Sequence, residues 1–138
     1  MRVWFVILAV VAALSSGGSW PTHRSTHGGY TIRYPPRWRV TVLQPQFTTF
    51  SPPAGGPAIK VYVYPGHGPA SDDVLPDVQC RAMKVGRLRG RRCRSLVGGS
   101  PVTIFTPVGR TYRISSDAGI DVATYDRVVA SFRLIRRH

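Results

Sequence analysis

The stretch RGRRCRSLVGGSPVTIFTPVGRTYRISSD, residues 89–117, decides the fold because it predicts three consecutive strands joined by short turns. Glycine and proline, which favour turns, separate three runs that contain β-branched and aromatic residues. The predicted strands are Arg91–Val97, Val102–Thr106 and Thr111–Ser115. Alternation along the last strand places Tyr112 and Ile114 on one face and Thr111 and Arg113 on the other. The stretch therefore indicates an antiparallel meander.

Upstream of the meander, apolar and polar residues alternate with period two in several short runs. The stretch GYTIRYPPRWRVTVL, residues 29–43, contains two of them, separated by Pro35 and Pro36, which cannot donate to a sheet ladder. FTTF, residues 47–50, and the run Ile59–Tyr64 predict two further strands on either side of the turn-forming SPPAGGP. We therefore expect about six to seven strands, mostly antiparallel.

Two helices are predicted beside these strands. SDDVLPDVQCRAM, residues 71–83, begins with residues that cap helices, so we expect a short helix between Asp72 and Met83. IDVATYDRVVASFRL, residues 120–134, predicts a C-terminal helix behind a cap at Asp121, and the tail after it is expected to re-enter the sheet as a short strand. The apolar residues at helical spacing are Val122, Tyr125, Val129 and Phe132. The expected fold class is α+β, a mostly antiparallel β-sheet with a central short helix and a C-terminal helix packed on it.

Three segments resemble PsbP-like α+β domains, a superfamily that is rich in small exported bacterial members. GYTIRYPPRW, residues 29–38, resembles the opening strand and Pro-Trp turn of the family. GRTYRISSD, residues 109–117, is similar to its Gly-x-x-Tyr-x-Ile strand, and DRVVASFRLI, residues 126–135, is similar to its closing helix and Ser-Phe-Arg strand. The resemblance implies an antiparallel sheet with helices, export, and a role as a binding or accessory protein without enzymatic activity.

The first residues have the layout of a secretory signal peptide, in which Arg2 precedes an apolar run, Val3–Leu14, and small polar residues follow. Twelve apolar residues rise only about 18 Å as a helix, whereas a membrane span must cover roughly 30 Å. We therefore expect residues 1–19 to be removed on export, with retention as an anchor as the alternative. Residues 20–29 are expected to form a flexible lead-in, and residues 30–138 a single domain.

Basic residues dominate the charge of the chain, with 19 Lys and Arg against 6 acidic residues and a formal net charge of +13. Such a charge favours encounter with polyanions, although a GC-rich base composition would also raise the arginine content. The two cysteines, Cys80 and Cys93, are expected to form a disulfide, because an exported chain meets an oxidising environment. This bridge would pin the predicted central helix to the first strand of the meander. The expected location is secreted or extracytoplasmic, at the cell envelope.

No catalytic constellation stands out in the sequence. His67, in the PGHGP loop, is the histidine best placed to serve a hydrolase, but no G-x-S-x-G surrounds any serine. His23 and His27 have the spacing of a metal pair on a helix, but Pro21 and two glycines argue against a helix there. We therefore expect a non-enzymatic protein that holds neither a metal nor another cofactor. A small secreted hydrolase is the alternative.

The segment between the cysteines is the expected contact surface. CRAMKVGRLRGRRC, residues 80–93, carries six basic residues between its cysteines and no acidic one. Guanidinium groups donate in a planar fork that suits phosphate and carboxylate groups. The predicted anion-binding residues are Arg87, Arg89, Arg91, Arg92 and Arg94. The expected partner is an anionic envelope polymer, an anionic lipid or a protein. Nucleic acid is disfavoured because no aromatic residue interrupts the segment, and a merely solvated basic face is the alternative.

Overall fold

The structure, a computed structural model, describes residues 19–66, 78–95, 99–107 and 109–136. Ten strands and one helix occur in this part of the chain. The strands are β1 (Thr22–Ser25), β2 (Tyr30–Arg33), β3 (Arg39–Gln44), β4 (Phe47–Ser51), β5 (Ile59–Pro65), β6 (Val78–Val85), β7 (Leu88–Ser95), β8 (Pro101–Phe105), β9 (Arg110–Ser116) and β10 (Arg133–Leu134). The helix is α1 (Val122–Ala130). Residues 1–18 of the predicted signal peptide, and His67, lie outside the described residues.

Two antiparallel sheets build the fold. The large sheet has seven strands in the order β3-β4-β5-β9-β8-β7-β6, and the small sheet has three in the order β1-β2-β10. The expected α+β class is wrong, because the described chain is mostly β with one short helix rather than a sheet carrying two helices. The C-terminal helix is present as α1, and the tail after it returns to the small sheet as β10.

The predicted central helix is the main error. Its first residues lie outside the described ranges, and Val78–Val85 forms strand β6 instead. Every residue of β6 has a partner in β7, from the pair Val78 and Ser95 to the pair Val85 and Leu88. A two-residue turn joins the strands, with Gly86 at a φ of 59° that favours glycine. This ladder overrides the helix propensity of residues such as Met83.

The predicted flexible lead-in is also wrong for the residues that form β1. Thr22–Ser25 pairs along its full length with β2, and Trp20 packs against the hydrophobic core. The strand is short and polar, so its signal in the sequence is weak, and the pairing with β2 orders it.

One core fills the space between the two sheets and α1. The side of the large sheet that faces this core is called the inner face, and its buried residues include Phe50, Val61, Phe105 and Ile114. Gly90 on β7 allows close packing here, because a Cβ at this position would lie 2.6 Å from the Ile104 carbonyl oxygen and 2.5 Å from the Phe105 ring. The core is completed by Tyr30 and Ile32 of the small sheet and by Tyr125, Val128, Val129 and Phe132 of the C-terminal segment.

Helix α1 begins as the sequence predicts. Asp121 is its N-cap, and the Oδ2 atom of Asp121 accepts hydrogen bonds from the backbone N–H and the hydroxyl of Thr124. The alternation predicted for β9 is confirmed, because Tyr112 and Ile114 are buried on the inner face. Within the described ranges, no helix is both long and apolar enough to cross a membrane.

His23 on β1 makes the stability of the fold depend on pH. Its ring centroid lies 5.7 Å from that of Phe50 and 6.3 Å from that of Tyr30. The Nε2 atom is buried and has no hydrogen-bond partner among the described residues. Burial lowers the pKa of His23 below its usual 6.5, so the folded state holds a neutral imidazole.

The free energy of unfolding is expected to fall as the pH drops from about 6.5 towards the lower pKa of the folded state, because the unfolded chain binds more protons in this window. Urea titrations on both sides of the window measure the effect. A His23→Phe variant keeps a ring in the core and is expected to lose this part of the pH dependence. Equal stability of the wild-type protein across the window would contradict the prediction.

Candidate anion-binding groove

The five arginines predicted to bind anions do not form one surface. Arg87 lies in the β6–β7 turn and Arg89 lies near it, both exposed. Pairing with β8 places Arg91 opposite Ile104, on the outer face of the large sheet, and Arg92 opposite Thr103, on the inner face. Arg94 shares the inner face with Arg92, as alternation predicts. The structure therefore separates the arginines by face.

The inner-face arginines continue a row of the core. Val61, Ile114 and Thr103 are neighbours across β5, β9 and β8, and the next positions along this row are Arg92 and Arg81. This row of the inner face is therefore buried on β5, β9 and β8 and becomes basic on β7 and β6. Here the first turns of α1 stand beside the β6–β7 hairpin.

A groove of about 720 Å³ lies at this place, between the hairpin, α1 and the segment before β8. Its lining includes Arg81, Arg92, Arg94, Gly99, Val122 and Asp126. Three arginines against one aspartate leave a charge of +2 among the described lining residues. We refer to this feature as the groove.

Arg92 is held in the groove from two sides. Its Nη1 atom donates to Oδ1 of Asp126, and its guanidinium carbon lies 4.7 Å from the ring centroid of Tyr125. The side chain of Arg92 is only 17% exposed, whereas that of Asp126 is 53% exposed. The salt bridge and the aromatic ring therefore fix the direction of the Arg92 guanidinium.

Tyr125 anchors the helix beneath Arg92. Its hydroxyl donates to the Ile114 carbonyl oxygen at 2.7 Å and pairs with the Thr103 hydroxyl at 2.7 Å. Burial raises the pKa of Tyr125 far above its usual value, so the phenol stays protonated. Thr103 is itself fully buried, and the two hydrogen bonds tie α1 to β8 and β9.

Arg81 and Arg94 supply the unbalanced charge of the groove. Both are exposed, and within the described part of the chain neither forms an ion pair. Arg81 lies directly opposite Arg92 on the hairpin, where two like charges repel unless an anion lies near them. Asp126 offsets one of these charges, and the other is open to a ligand.

Sequence reasoning did not single out Arg81 or Asp126 as site residues. The sequence predicts a helix at Arg81, and the approach of Asp126 depends on how α1 lies over the sheet. The sequence contains one local indication for Arg81. The number of residues from Arg81 to the Gly86–Arg87 turn equals the number from this turn to Arg92. A hairpin interpretation would therefore have paired them.

The disulfide between Cys80 and Cys93 is confirmed. The two residues face each other across β6 and β7 with a Cα–Cα distance of 4.0 Å, so the bridge joins two adjacent strands and does not pin a helix to a strand. Cys93 is buried with Val102 and Ile104 in a small apolar cluster on the outer face. The bridge thus holds together the hairpin that carries the groove arginines.

The other candidates from the sequence do not form a site in the described structure. His23 is half-buried with its ring beside Phe50 and Tyr30 of the core, and His27 is exposed. In residues 19–66, 78–95, 99–107 and 109–136, no three His, Cys, Asp or Glu side chains come together in a way that could hold a metal.

Comparison with known proteins shows a related fold and no more. No protein-family model matches the chain, and no curated protein matches it. A crystal structure from Bacteroides thetaiotaomicron VPI-5482, solved at 1.50 Å, is similar with a TM-score of 0.59 at 12% identity, and the match covers 83% of this chain and 48% of that chain. This chain therefore spans about half of that protein, and the likeness concerns the fold alone. The resemblance to PsbP-like domains stays a prediction.

Proposed function

We propose that the protein is an exported, non-enzymatic binding protein that holds a phosphate or carboxylate group of an anionic partner in the groove. The observation that carries the proposal is that Arg81, Arg92 and Arg94 line one groove, in which Asp126 is the only acidic residue among the described lining residues. The disulfide between Cys80 and Cys93 supports the assignment to an oxidising compartment outside the cytoplasm.

The three guanidinium groups have different tasks in this proposal. Arg92 is already oriented by Asp126 and Tyr125, so little of its side-chain entropy is lost when an anion binds. Arg81 and Arg94 flank it as exposed donors that close around the ligand. Charge-assisted hydrogen bonds of this kind contribute about 1.5–3 kcal/mol each.

Calorimetric titration with inorganic pyrophosphate tests the groove. The double variant Arg81→Gln/Arg94→Gln is expected to bind pyrophosphate at least about 10-fold more weakly than the wild-type protein, because it loses two charged donors. Neither side chain makes an ion pair in the described structure, so the fold is expected to persist. Binding is also expected to weaken as salt is raised.

Arg39→Gln is the control for a charge lost outside the groove. Arg39 is an exposed arginine on β3, at the opposite edge of the large sheet from β6. This variant removes one charge from the protein without touching the groove, and its pyrophosphate affinity is expected to match that of the wild-type protein. If the groove variant and the control bind equally well, the basic face is merely solvated and the proposal fails.

A further inference from the structure

A second basic surface lies on the small sheet. Strand pairing places Arg33 beside Thr22, and places both Arg24 and Arg133 beside Thr31, so the three arginines share the outer side of the small sheet. Arg127 at the end of α1 adjoins them. We call Arg24, Arg33, Arg127 and Arg133 the small-sheet patch.

Three arginines of the patch, Arg33, Arg127 and Arg133, line a shallow depression of about 480 Å³ together with Thr22, Thr31 and Ser131. Two of its arginines are held in place by the fold. The guanidinium carbon of Arg127 lies 4.1 Å from the ring centroid of Trp20. The Nη1 atom of Arg133 donates to the carbonyl oxygens of Ala130 at 2.9 Å and Phe132 at 2.7 Å. The Nε and Nη2 hydrogens of Arg133 are not used by these bonds.

The described aspartates are engaged away from the patch. Asp117 pairs with Lys60, with Nζ and Oδ1 2.9 Å apart, and this contact lowers the pKa of the Asp117 carboxyl. Asp121 caps α1, and Asp126 pairs with Arg92. The side chains of Arg24 and Arg33 make no hydrogen bond or ion pair with any other described residue. Their charges are therefore open to an external anion.

Helix α1 separates the patch from the groove. Val122 and Asp126 line the groove, whereas Arg127, Ala130 and Ser131 line the depression in the patch. At 100° per residue, Arg127 points about 100° away from Asp126 around the helix axis, so the groove and the patch lie on adjacent sides of α1. A helix with its side chains is about 10–12 Å wide, so one chain of linked anionic groups can pass over α1 and contact both surfaces.

We propose that the ligand is a linear polymer of repeating phosphate groups that occupies the groove and the small-sheet patch at once. This inference rests on the proposed function, because the groove supplies one of the two contacts. A single phosphate or a short chain reaches only one surface. A long chain gains a second contact at a high effective concentration, which raises the affinity without a change in either surface.

The test compares inorganic triphosphate with a long inorganic polyphosphate at one salt concentration. The wild-type protein is expected to bind the long chain about 100-fold more tightly per chain than triphosphate. The double variant Arg24→Gln/Arg33→Gln is expected to bind triphosphate as the wild-type protein does, and to bind the long chain at least about 10-fold more weakly than the wild-type protein. Arg39→Gln serves again as the control and is expected to leave both affinities unchanged.

The outcomes separate the inference from the proposed function. Triphosphate binding could depend on Arg81 and Arg94 while the long chain binds no more tightly than triphosphate. This result would support the groove as an anion site and contradict the proposal of a polymeric ligand. The proposal of a polymeric ligand is also contradicted if Arg24→Gln/Arg33→Gln binds the long chain with the same affinity as the wild-type protein. If triphosphate binding does not respond to Arg81→Gln/Arg94→Gln, the groove itself fails.

Two further probes identify the source of the phosphates. An oligothymidylate with a similar number of phosphates tests a nucleic acid, and its preference over polyphosphate would assign the repeating phosphates to a nucleic acid. If the oligothymidylate binds more weakly than polyphosphate, the repeating phosphates are assigned to a polymer without nucleobases. Binding to phosphatidylglycerol vesicles without binding to either soluble chain would overturn the inference in favour of a membrane surface.

Discussion

The Phe132→Ala variant is expected to unfold with a free energy about 3–5 kcal/mol below that of the wild-type protein. Phe132 is fully buried and follows Ser131, the C-cap of α1. Its ring stacks on Tyr30 with centroids 5.4 Å apart and on Phe105 with centroids 5.2 Å apart, and it meets Tyr112 edge-on at 5.3 Å. Tyr30 belongs to the small sheet and the other two belong to the large sheet, so this ring joins both sheets to the C-terminal segment.

The loss combines the transfer free energy of a phenyl ring with a cavity that neighbouring aromatic rings cannot readily fill. Urea unfolding followed by circular dichroism measures it. The matched variant Phe132→Leu keeps an apolar side chain in contact with the same rings and is expected to lose less than about 2 kcal/mol. A loss below about 1 kcal/mol for Phe132→Ala would show that the ring does not hold the two sheets together.

Loss of the disulfide is expected to lower the free energy of unfolding by about 3 kcal/mol. Cys80 and Cys93 are 13 residues apart in sequence, and cross-linking a loop of this length restricts the unfolded chain. In the folded state, the β6–β7 ladder and the Gly86 turn already hold these strands in register. The reduced protein is therefore expected to keep the fold at lower stability.

Urea unfolding with and without a thiol reductant measures this effect. The double variant Cys80→Ala/Cys93→Ala provides the control, since its stability should match that of the reduced protein and should not respond to the reductant. Equal stability of the oxidised and reduced wild-type proteins would contradict the prediction. A comparable response of the alanine variant would show that the reductant acts elsewhere.

Features set by neighbouring residues were predictable from the sequence. Asp121 caps α1 by accepting a hydrogen bond from the nearby backbone N–H of Thr124, so the local sequence locates the N-terminus of the helix. The alternation around Tyr112 and Ile114 reports directly which side of β9 is buried. With only two cysteines in the chain, the pairing of Cys80 with Cys93 had no alternative.

Features that depend on distant partners were not predictable in the same way. β6 contains Ala82 and Met83, which favour helices, and only its pairing with β7 makes it a strand. β1 is ordered by β2 and lacks a strong pattern of its own. The groove needs Arg81 and Asp126 together, and 44 intervening residues separate them in the sequence, so their approach follows from tertiary packing.

Binding of an anion between the β6–β7 hairpin and α1 is tested most directly by following backbone amide resonances during a titration with inorganic pyrophosphate. If the anion binds in the groove, the chemical-shift changes are expected to concentrate on residues that line it, such as Gln79, Arg81, Arg94 and Gly99. The amide resonance of Arg39, on the far edge of the sheet, is expected to stay unchanged. Shifts confined to Arg87 and Arg89 at the hairpin turn, or spread evenly over the arginines of the protein, would contradict the proposed site.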